Sequence, residues 1–446
     1  MNRHLSVLSL SLITVCSVDS IRNLPVAAMA GSQLPIYFTL ALLFFLLPSA
    51  IIAVWFSQQS QQGVYGWVKI GLGKQFAFLA IWFQCIQNLL IYPTFLGFIA
   101  GTLLYSFSPQ LAINNHAIFI TIIASIWTLT WINLKGIHVS SNFNSFCTLL
   151  GLLLPFLVIL TLGVVWYFSH RQGIKSFLPS STPYSWNSLI AIMLSFCGIE
   201  IAAVHAKESQ HGAFSKAIFI SVAVIFFTML FGAITLAMII PLQQLNFISS
   251  IPQLIELFFN ELHCKEFAFL FNGLIALGCI GTANNWIIAP IKGLSFATNE
   301  GFLGAAFAKK NAENIPAKLL ILQAGIVSII SSLFLIFPTI NASYWVMLNS
   351  ATQVYLLMYI MLFLSAIKIV FKGKKISWII LISALSGLLG ISLGLIISLI
   401  PPLSLHLKSQ LPYTMLTALF LLVIILVPLR LMQNNSIDSV SEAFSK

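Results

Sequence analysis

Two stretches of the sequence combine ionisable side chains with helix-breaking residues inside otherwise apolar segments. The first contains Asp19 and Arg22 and ends at Pro25, which lacks the N–H that the preceding turn of a helix would bond. The second places Gly198 beside Glu200. A carboxylate at mid-bilayer costs about 2.5 to 3.5 kcal/mol on insertion scales, so such a residue usually faces water, a partner or a substrate. These stretches therefore favour recognition of a small charged solute.

Each feature also has a purely structural interpretation. Asp19 and Arg22 are three residues apart and could form a local ion pair on one helix face. A single glycine such as Gly198 is common where membrane helices pack closely. Glu200 could be a buried acid that bonds to neighbouring backbone.

The order of the apolar spans favours the functional interpretation. The two stretches fall in the first and sixth spans, which are equivalent if two five-span repeats are followed by two further spans. Interrupted helices at corresponding places in two halves indicate a transporter site. Their N–H ends can bind an anion and their freed carbonyls a cation, which suits a zwitterion. The predicted contacts in these stretches are Asp19, Ser20, Arg22, Asn23, Gly198 and Glu200. In the third span Gln87 is a further candidate, with hydrogen bonding between helices as the alternative.

The composition of the chain indicates that these segments lie in a membrane. Of 446 residues, 59% are hydrophobic and 7% charged, with a mean hydropathy of +1.00. Ordinary soluble domains carry roughly a quarter charged residues. The net charge of +11 is not arranged as a basic, aromatic-interleaved stripe, so we predict no nucleic-acid partner. The six cysteines include no C-x-x-C pair, which argues against a disulfide framework or a zinc site.

An all-α integral membrane fold with twelve transmembrane helices is predicted, with helices one and six broken. The spans are 5–28, 35–56, 76–107, 117–134, 143–168, 189–206, 217–240, 267–296, 319–337, 344–371, 376–400 and 414–432. Residues 1–168 would form the first repeat, 169–371 the second, and 372–446 the last two helices with a short tail. Of 21 lysines and arginines, only Arg171, Lys175, Lys265 and Lys408 fall opposite the termini, and Arg22 lies inside a span. This bias predicts cytoplasmic termini.

With these residues in view, the whole chain resembles the amino acid–polyamine–organocation superfamily, and most closely the bacterial glutamate/GABA antiporters. The segment SFCGIEIAAVHAKES (195–209) is similar to that family's G-[IV]-E-x-x-A-x-H-x-x-E, matched at Gly198, Glu200, His205 and Glu208. Segments 63–68, 153–163 and 285–316 look equally characteristic. The resemblance implies a leucine-transporter-type five-plus-five inverted repeat, a bacterial inner membrane, and substrate between spans one, three, six, eight and ten. It also implies amino acid exchange, with Glu200 linked to substrate or proton.

Three departures from the family suggest a different substrate pair or different gating. Thr282 stands where the family has an acidic residue in the eighth span, and we count it as a substrate contact. It also falls where sodium-dependent members of the superfamily ligate their ion, so sodium use is an alternative. The C-terminal plug of the family is missing from residues 433–446, and Asp19 and Arg22 are unusual for close relatives. His205 is a candidate pH sensor, because histidine titrates near neutral pH; a solvated helix end is the alternative.

Together these observations predict a secondary active amino acid transporter, most plainly an antiporter that works by alternating access. A proton-coupled amino acid or polyamine symporter is the alternative. A membrane-embedded enzyme would need convergent catalytic groups, but the histidines other than His205 lie at span ends or in loops. A channel would show a repeated polar lining, which no span shows. The expected partners are small amino acids and the lipid bilayer, the expected assembly is a monomer or homodimer, and no cofactor or metal is expected.

Overall fold

The computed structural model describes residues 6–60, 62–135, 149–169, 186–202, 212–299, 301–302, 307, 309–312, 315–373, 375–401 and 411–444. Within these ranges all regular elements are helical and there is no strand, which confirms the all-α prediction. The candidate pH sensor His205 lies outside the described residues, as do the first part of the predicted fifth span and the last part of the sixth.

The α-helices of the described ranges are numbered here in chain order. They are α1 (Val7–Val18), α2 (Leu24–Ala28), α3 (Leu34–Ala41), α4 (Leu47–Ser57), α5 (Gly63–Leu72), α6 (Lys74–Phe107), α7 (Pro109–Ala112), α8 (Asn115–Leu134), α9 (Leu154–Ser169), α10 (Asn187–Ser195), α11 (Ile199–Ala202), α12 (Ala213–Ile239), α13 (Ser250–Glu261), α14 (Glu266–Asn299), α15 (Ala317–Ser331), α16 (Leu333–Ile336), α17 (Ile340–Lys372), α18 (Trp378–Ser398) and α19 (Leu411–Phe444). The π turn Leu42–Leu46 joins α3 to α4, and the π turn Leu149–Leu153 precedes α9.

Ten helical segments of the described chain are long and apolar enough to cross a membrane. They coincide with the second to fifth and the seventh to twelfth predicted spans. They are Gly31–Ser57, Lys74–Phe107, Asn115–Leu134, Leu150–Ser169, Ala213–Ile239, Glu266–Asn284, Ala317–Ile336, Ile340–Lys372, Trp378–Ser398 and Leu411–Arg430. The first and sixth predicted spans instead contain pairs of shorter helices.

The first pair is α1 and α2, separated by residues 19–23. Ser20 is extended (φ −152°, ψ 119°), and the 3-10 turn Ile21–Asn23 follows it. Pro25 lies in the first turn of α2, where a missing N–H leaves no helical bond unmade. The proline thus explains locally why α2 starts anew instead of continuing α1.

The second pair is α10 and α11, separated by residues 196–198. Two tight turns close α10, with the N–H groups of Phe196 and Cys197 bonding the carbonyls of Met193 and Leu194, both at 3.1 Å. Gly198 then adopts φ +114°, a conformation that L side chains rarely adopt. The chain therefore leaves helix α10 at position 198, where the backbone conformation is free of strain only for glycine.

Long helices α6, α14 and α17 form the interior against which both interruptions pack. Of the ten long segments, the one in α6 is the most enclosed and the one in α19 the most exposed. Trp82 of α6 donates its indole N–H to the Ile424 carbonyl of α19 at 3.2 Å. A Cβ added to Gly151 or to Gly278 would overlap the backbone of the other, so the turn before α9 meets α14 backbone to backbone. Small residues permit such close approach of membrane helices.

Candidate functional site

A small cavity lies between the two interruptions and the helices α6 and α14. Its volume is about 20 Å³, enough for about one or two water molecules. The side chains around it must therefore move before a larger solute can enter. The lining residues are Ser17, Val18, Ser20, Arg22, Asn23, Gln87, Ile91, Phe95, Leu194, Cys197, Thr282 and Trp286.

Among the described residues that line the cavity, Arg22 alone has a side chain that is always charged. Its guanidinium is buried, with only 3% of the residue exposed. It donates through Nη1 to the Thr94 hydroxyl at 2.9 Å and to the Tyr344 hydroxyl at 3.2 Å. Its Cζ atom lies 3.7 Å from the ring centroid of Phe95, a cation–π contact. These partners are all neutral, and Nε has no hydrogen-bond acceptor.

Asp19 points away from Arg22. Its Oδ2 lies 2.7 Å from the hydroxyl oxygen of Thr228 on α12, while Oδ1 has no hydrogen-bond donor. The local ion pair considered from the sequence is therefore not formed. The turn after α1 sends the two side chains to opposite sides, the aspartate toward α12 and the arginine toward α6.

Glu200 is held by two tyrosines of α17. Tyr355 donates its hydroxyl to Oε1, and Tyr359 donates its hydroxyl to Oε2. The N–H of Gly198 also donates to Oε2, at 3.2 Å. The carboxylate is 3% exposed, so these three donors replace water around it. This network ties α11 to α17.

Trp286 of α14 contacts both interruptions. Its indole N–H donates to the Ser17 carbonyl in the last turn of α1, at 3.3 Å. A Cβ added to Gly198 would lie 3.2 Å from a ring carbon of the same indole. The ring also approaches Phe95 and Tyr355, with centroids 6.4 Å and 6.5 Å away. One aromatic side chain thus fills the space between the two helix pairs.

Polar side chains of α6 bond the backbone of α14 beside the cavity. Asn88 donates its amide to the Trp286 carbonyl at 3.0 Å, and Tyr92 donates its hydroxyl to the Ala283 carbonyl. Gln87, the residue before Asn88, lines the cavity, and its buried Oε1 has no donor. Thr282 donates to the Gly278 carbonyl at 3.1 Å. Asn88 thus makes an interhelical bond, whereas Gln87 keeps a free acceptor at the cavity.

The structure brings five of the predicted site residues together around the cavity. They are Ser20, Arg22, Asn23, Gln87 and Thr282. Asp19, Gly198 and Glu200 lie outside the lining. Asp19 stands between the lining residues Val18 and Ser20, Gly198 follows the lining residue Cys197, and Glu200 accepts from the Gly198 N–H. Sequence reasoning missed the aromatic partners Phe95, Trp286, Tyr344, Tyr355 and Tyr359. The spacing of Tyr355 and Tyr359, four residues apart in one apolar helix, was the available signal, because it puts two hydroxyls on one face.

Comparison with known proteins gives concordant matches that cover most of the chain. The profile of a family described as amino acid permease matches residues 5–425. An uncharacterized transporter of Legionella pneumophila is 33% identical over 423 residues, which is 91% of each chain. A glutamate/gamma-aminobutyrate antiporter of Lactococcus lactis is 25% identical over 96% of this chain and 90% of its own. A putrescine transporter of Haemophilus influenzae is 23% identical over 72% of this chain and 73% of its own.

Proposed function

The chain belongs to the amino acid permease family of the amino acid–polyamine–organocation superfamily, and from this membership we propose that it is an amino acid antiporter. It is a multi-pass membrane transporter and not an enzyme. In our proposal it exchanges one amino acid for another by alternating access across a bacterial inner membrane. Both termini face the cytoplasm, as the distribution of lysine and arginine favours.

We assign the α1–α2 pair and the α10–α11 pair to broken membrane helices one and six of a twelve-helix fold. The first repeat comprises residues 1–168, the second comprises residues 169–371, and residues 372–446 add the last two helices. The agreement of the ten long helices with the other ten predicted spans supports this assignment. So does the position of the cavity, because transporters of this architecture bind substrate at such interruptions.

The burial of the Arg22 guanidinium among neutral partners is the observation that carries the proposal. Among the described residues, the partners of the buried guanidinium are all neutral, so its positive charge at the cavity has no countercharge there. Burial of an uncompensated charge is costly in a membrane. We propose that the carboxylate of the amino acid substrate supplies the missing charge, assisted by backbone N–H groups at the start of the Ile21–Asn23 turn.

The ammonium end of the substrate needs acceptors on the other side of the cavity. Gln87 offers a buried amide oxygen without a donor. The last carbonyls of α1, beside Ser17 and Val18, carry the negative end of that helix dipole. We therefore propose that Arg22 binds the carboxylate, and that Gln87 and the end of α1 bind the ammonium group.

The small cavity implies that the described conformation is closed around the site. In our proposal opening separates Trp286 from the Ser17 carbonyl, or Glu200 from Tyr355 and Tyr359. Each contact joins an interrupted helix to a long helix of the interior. Because these contacts are hydrogen bonds and ring contacts, each can break and reform as the helices move.

Proton-coupled uptake of an amino acid or polyamine is the second candidate. The buried carboxylate of Asp19 forms no ion pair within the described ranges, which favours proton coupling. The polyamine substrate is disfavoured by the same cavity, because its one charged side chain is a cation and would repel a diamine.

Purified protein in liposomes separates the two candidates. We expect uptake of labelled amino acid only into vesicles preloaded with an unlabelled amino acid, because an antiporter cannot return empty. Uptake into empty vesicles under an imposed pH gradient would instead indicate symport. Absence of any saturable amino acid flux under either condition would refute both.

A further inference from the structure

Asp19 is a buried ionisable group that the proposed substrate site does not use. Only 1% of the residue is exposed, and its carboxyl group faces α12 instead of the cavity. The residues on either side of it, Val18 and Ser20, both line the cavity. Asp19 therefore lies between two residues that line the cavity, while its own side chain is packed against α12.

Hydrogen counting at Thr228 indicates which form of Asp19 fits the structure. The Thr228 hydroxyl oxygen lies 2.7 Å from Asp19 Oδ2 and 2.8 Å from the Val224 carbonyl. A hydroxyl has one hydrogen, so it cannot donate fully to both oxygens. A proton on Asp19 satisfies both contacts, because the carboxyl then donates to the hydroxyl while the hydroxyl donates to the carbonyl. An ionised carboxylate leaves one of these short contacts without a hydrogen.

The electrostatic surroundings agree with the hydrogen counting. The guanidinium of Arg22 is turned to α6, and on α12 the nearest basic residue, Lys216, is exposed about 18 Å along the helix. The only side chain that bonds the carboxyl group within the described chain is that of Thr228. Among the described titratable groups of neighbouring elements, Glu200 bonds Gly198, Tyr355 and Tyr359. Tyr344 accepts from Arg22, and Cys197 donates to the Met193 carbonyl, so these hydrogen bonds go to partners other than Asp19.

We propose that Asp19 and Thr228 form a proton-binding site, separate from the substrate cavity, whose proton is bound and released during transport. The proton comes from water in the cavity beside Ser20 and returns there, so the carboxyl group alternates between neutral and negative. Arg22 lies within the short turn Ile21–Asn23, and Asp19 precedes that turn by two residues. A carboxylate bound at Arg22 and a proton bound at Asp19 therefore act on one backbone segment, which couples the two events. This inference rests on the proposed transport function.

Asp19→Asn is the decisive variant. Asparagine keeps an N–H donor for the Thr228 hydroxyl but cannot release a proton. In liposomes with equal pH on both sides, we expect wild-type exchange to change by up to about tenfold per pH unit as both pH values are varied together, because one titrating group changes its population by up to that factor. In the variant we expect exchange to persist and this variation to vanish. Glu256→Gln on α13, whose carboxylate accepts from Tyr105 at 2.6 Å, is the matched control and should keep the wild-type profile.

Each outcome tests either the proton site or the antiport proposal. Exchange by the wild type without pH variation, or a wild-type profile in Asp19→Asn, overturns the proton site and leaves the antiport proposal standing. Absence of exchange in the wild type overturns the antiport proposal instead. If Asp19→Asn does not fold, infrared spectra of the wild type and of Thr228→Val decide. We expect a protonated-carboxyl band whose frequency changes when the hydroxyl is removed, and absence of any such Thr228-sensitive band overturns the proton site.

Discussion

Replacement of Arg22 by glutamine tests the proposed substrate site most directly. The change removes the charge but keeps an amide that can still donate to the hydroxyls of Thr94 and Tyr344. Arg22 is buried and forms no ion pair in the described chain, so its loss leaves no buried carboxylate uncompensated. We therefore expect Arg22→Gln to fold and insert normally.

The magnitude follows from the bonds that the guanidinium can give to a carboxylate. A hydrogen bond to a charged group contributes about 1.5 to 3 kcal/mol. Two such bonds are partly offset, because Arg22 must loosen its contacts with Thr94 and Tyr344 to form them. A net loss of about 3 kcal/mol corresponds to roughly a hundredfold rise in half-saturating concentration.

The assay compares an exchanged amino acid with its α-carboxamide as competitors of labelled substrate in liposomes. The two compounds differ in the charge that Arg22 is proposed to bind. Wild-type protein should prefer the acid by about a hundredfold, and Arg22→Gln should show a ratio within about threefold of unity. Arg430→Gln, an exposed arginine near the end of the last long apolar segment, is the matched control.

The ratio separates binding from structure. A purely structural role for Arg22 would lower transport of both compounds together, because neither depends on the missing charge. Retention of the wild-type preference by Arg22→Gln would refute the assignment of the carboxylate to this residue. A loss of thermal stability in detergent without a change in the ratio would have the same meaning.

Three other outcomes are expected from the same liposomes. Gly198→Ala should slow initial exchange about tenfold, because φ of +114° costs an L residue about 1 to 3 kcal/mol. Gly325→Ala is its control, because a Cβ added at Gly325 meets open space. Equal exchange rates for the two variants would contradict the argument. Glu200→Gln should slow exchange about tenfold or change its pH profile while leaving insertion intact, since it weakens three hydrogen bonds to a carboxylate; wild-type rates at every pH would remove Glu200 from the mechanism. Putrescine should compete at least tenfold more weakly than an exchanged amino acid because Arg22 repels it, and equal competition would contradict the proposed charge selection.

The long helices were predictable because their signals are local. An apolar run of about 20 residues between polar loops defines a span wherever it packs. The predicted span 376–400 corresponds to α18 (Trp378–Ser398), and 217–240 corresponds to α12 (Ala213–Ile239). The start of α2 and the end of α10 are also local events, since Pro25 and Gly198 act through their own backbone.

The direction of side chains at the first interruption was not predictable in the same way. Asp19 and Arg22 would share a face on a regular helix. The extended conformation of Ser20 rotates the chain between them, so that they meet different helices. That rotation depends on how α2 packs against α12 and α10, which no local pattern encodes.

Partners distant in sequence were equally inaccessible. Glu200 meets Tyr355 and Tyr359 more than 150 positions away, and Trp286 meets Ser17 across 269 positions. Aromatic residues are abundant in this chain, with 37 phenylalanines alone. Composition therefore could not distinguish those that surround the cavity from those that face lipid.

The contact of Gly151 with Gly278 gives α14 a pivot point that does not lie at the middle of the helix. Two backbones that touch have no side chains to slide or repack, so α14 can tilt about this point more easily than it can shift along it. Gly278 lies about 18 Å from the Glu266 end of the helix and about 32 Å from the Asn299 end. A tilt of about 10° would move the first end by about 3 Å and the second by about 5.5 Å. The two parts of α14 differ in length, so the same rotation would open one end of the transporter almost twice as far as the other.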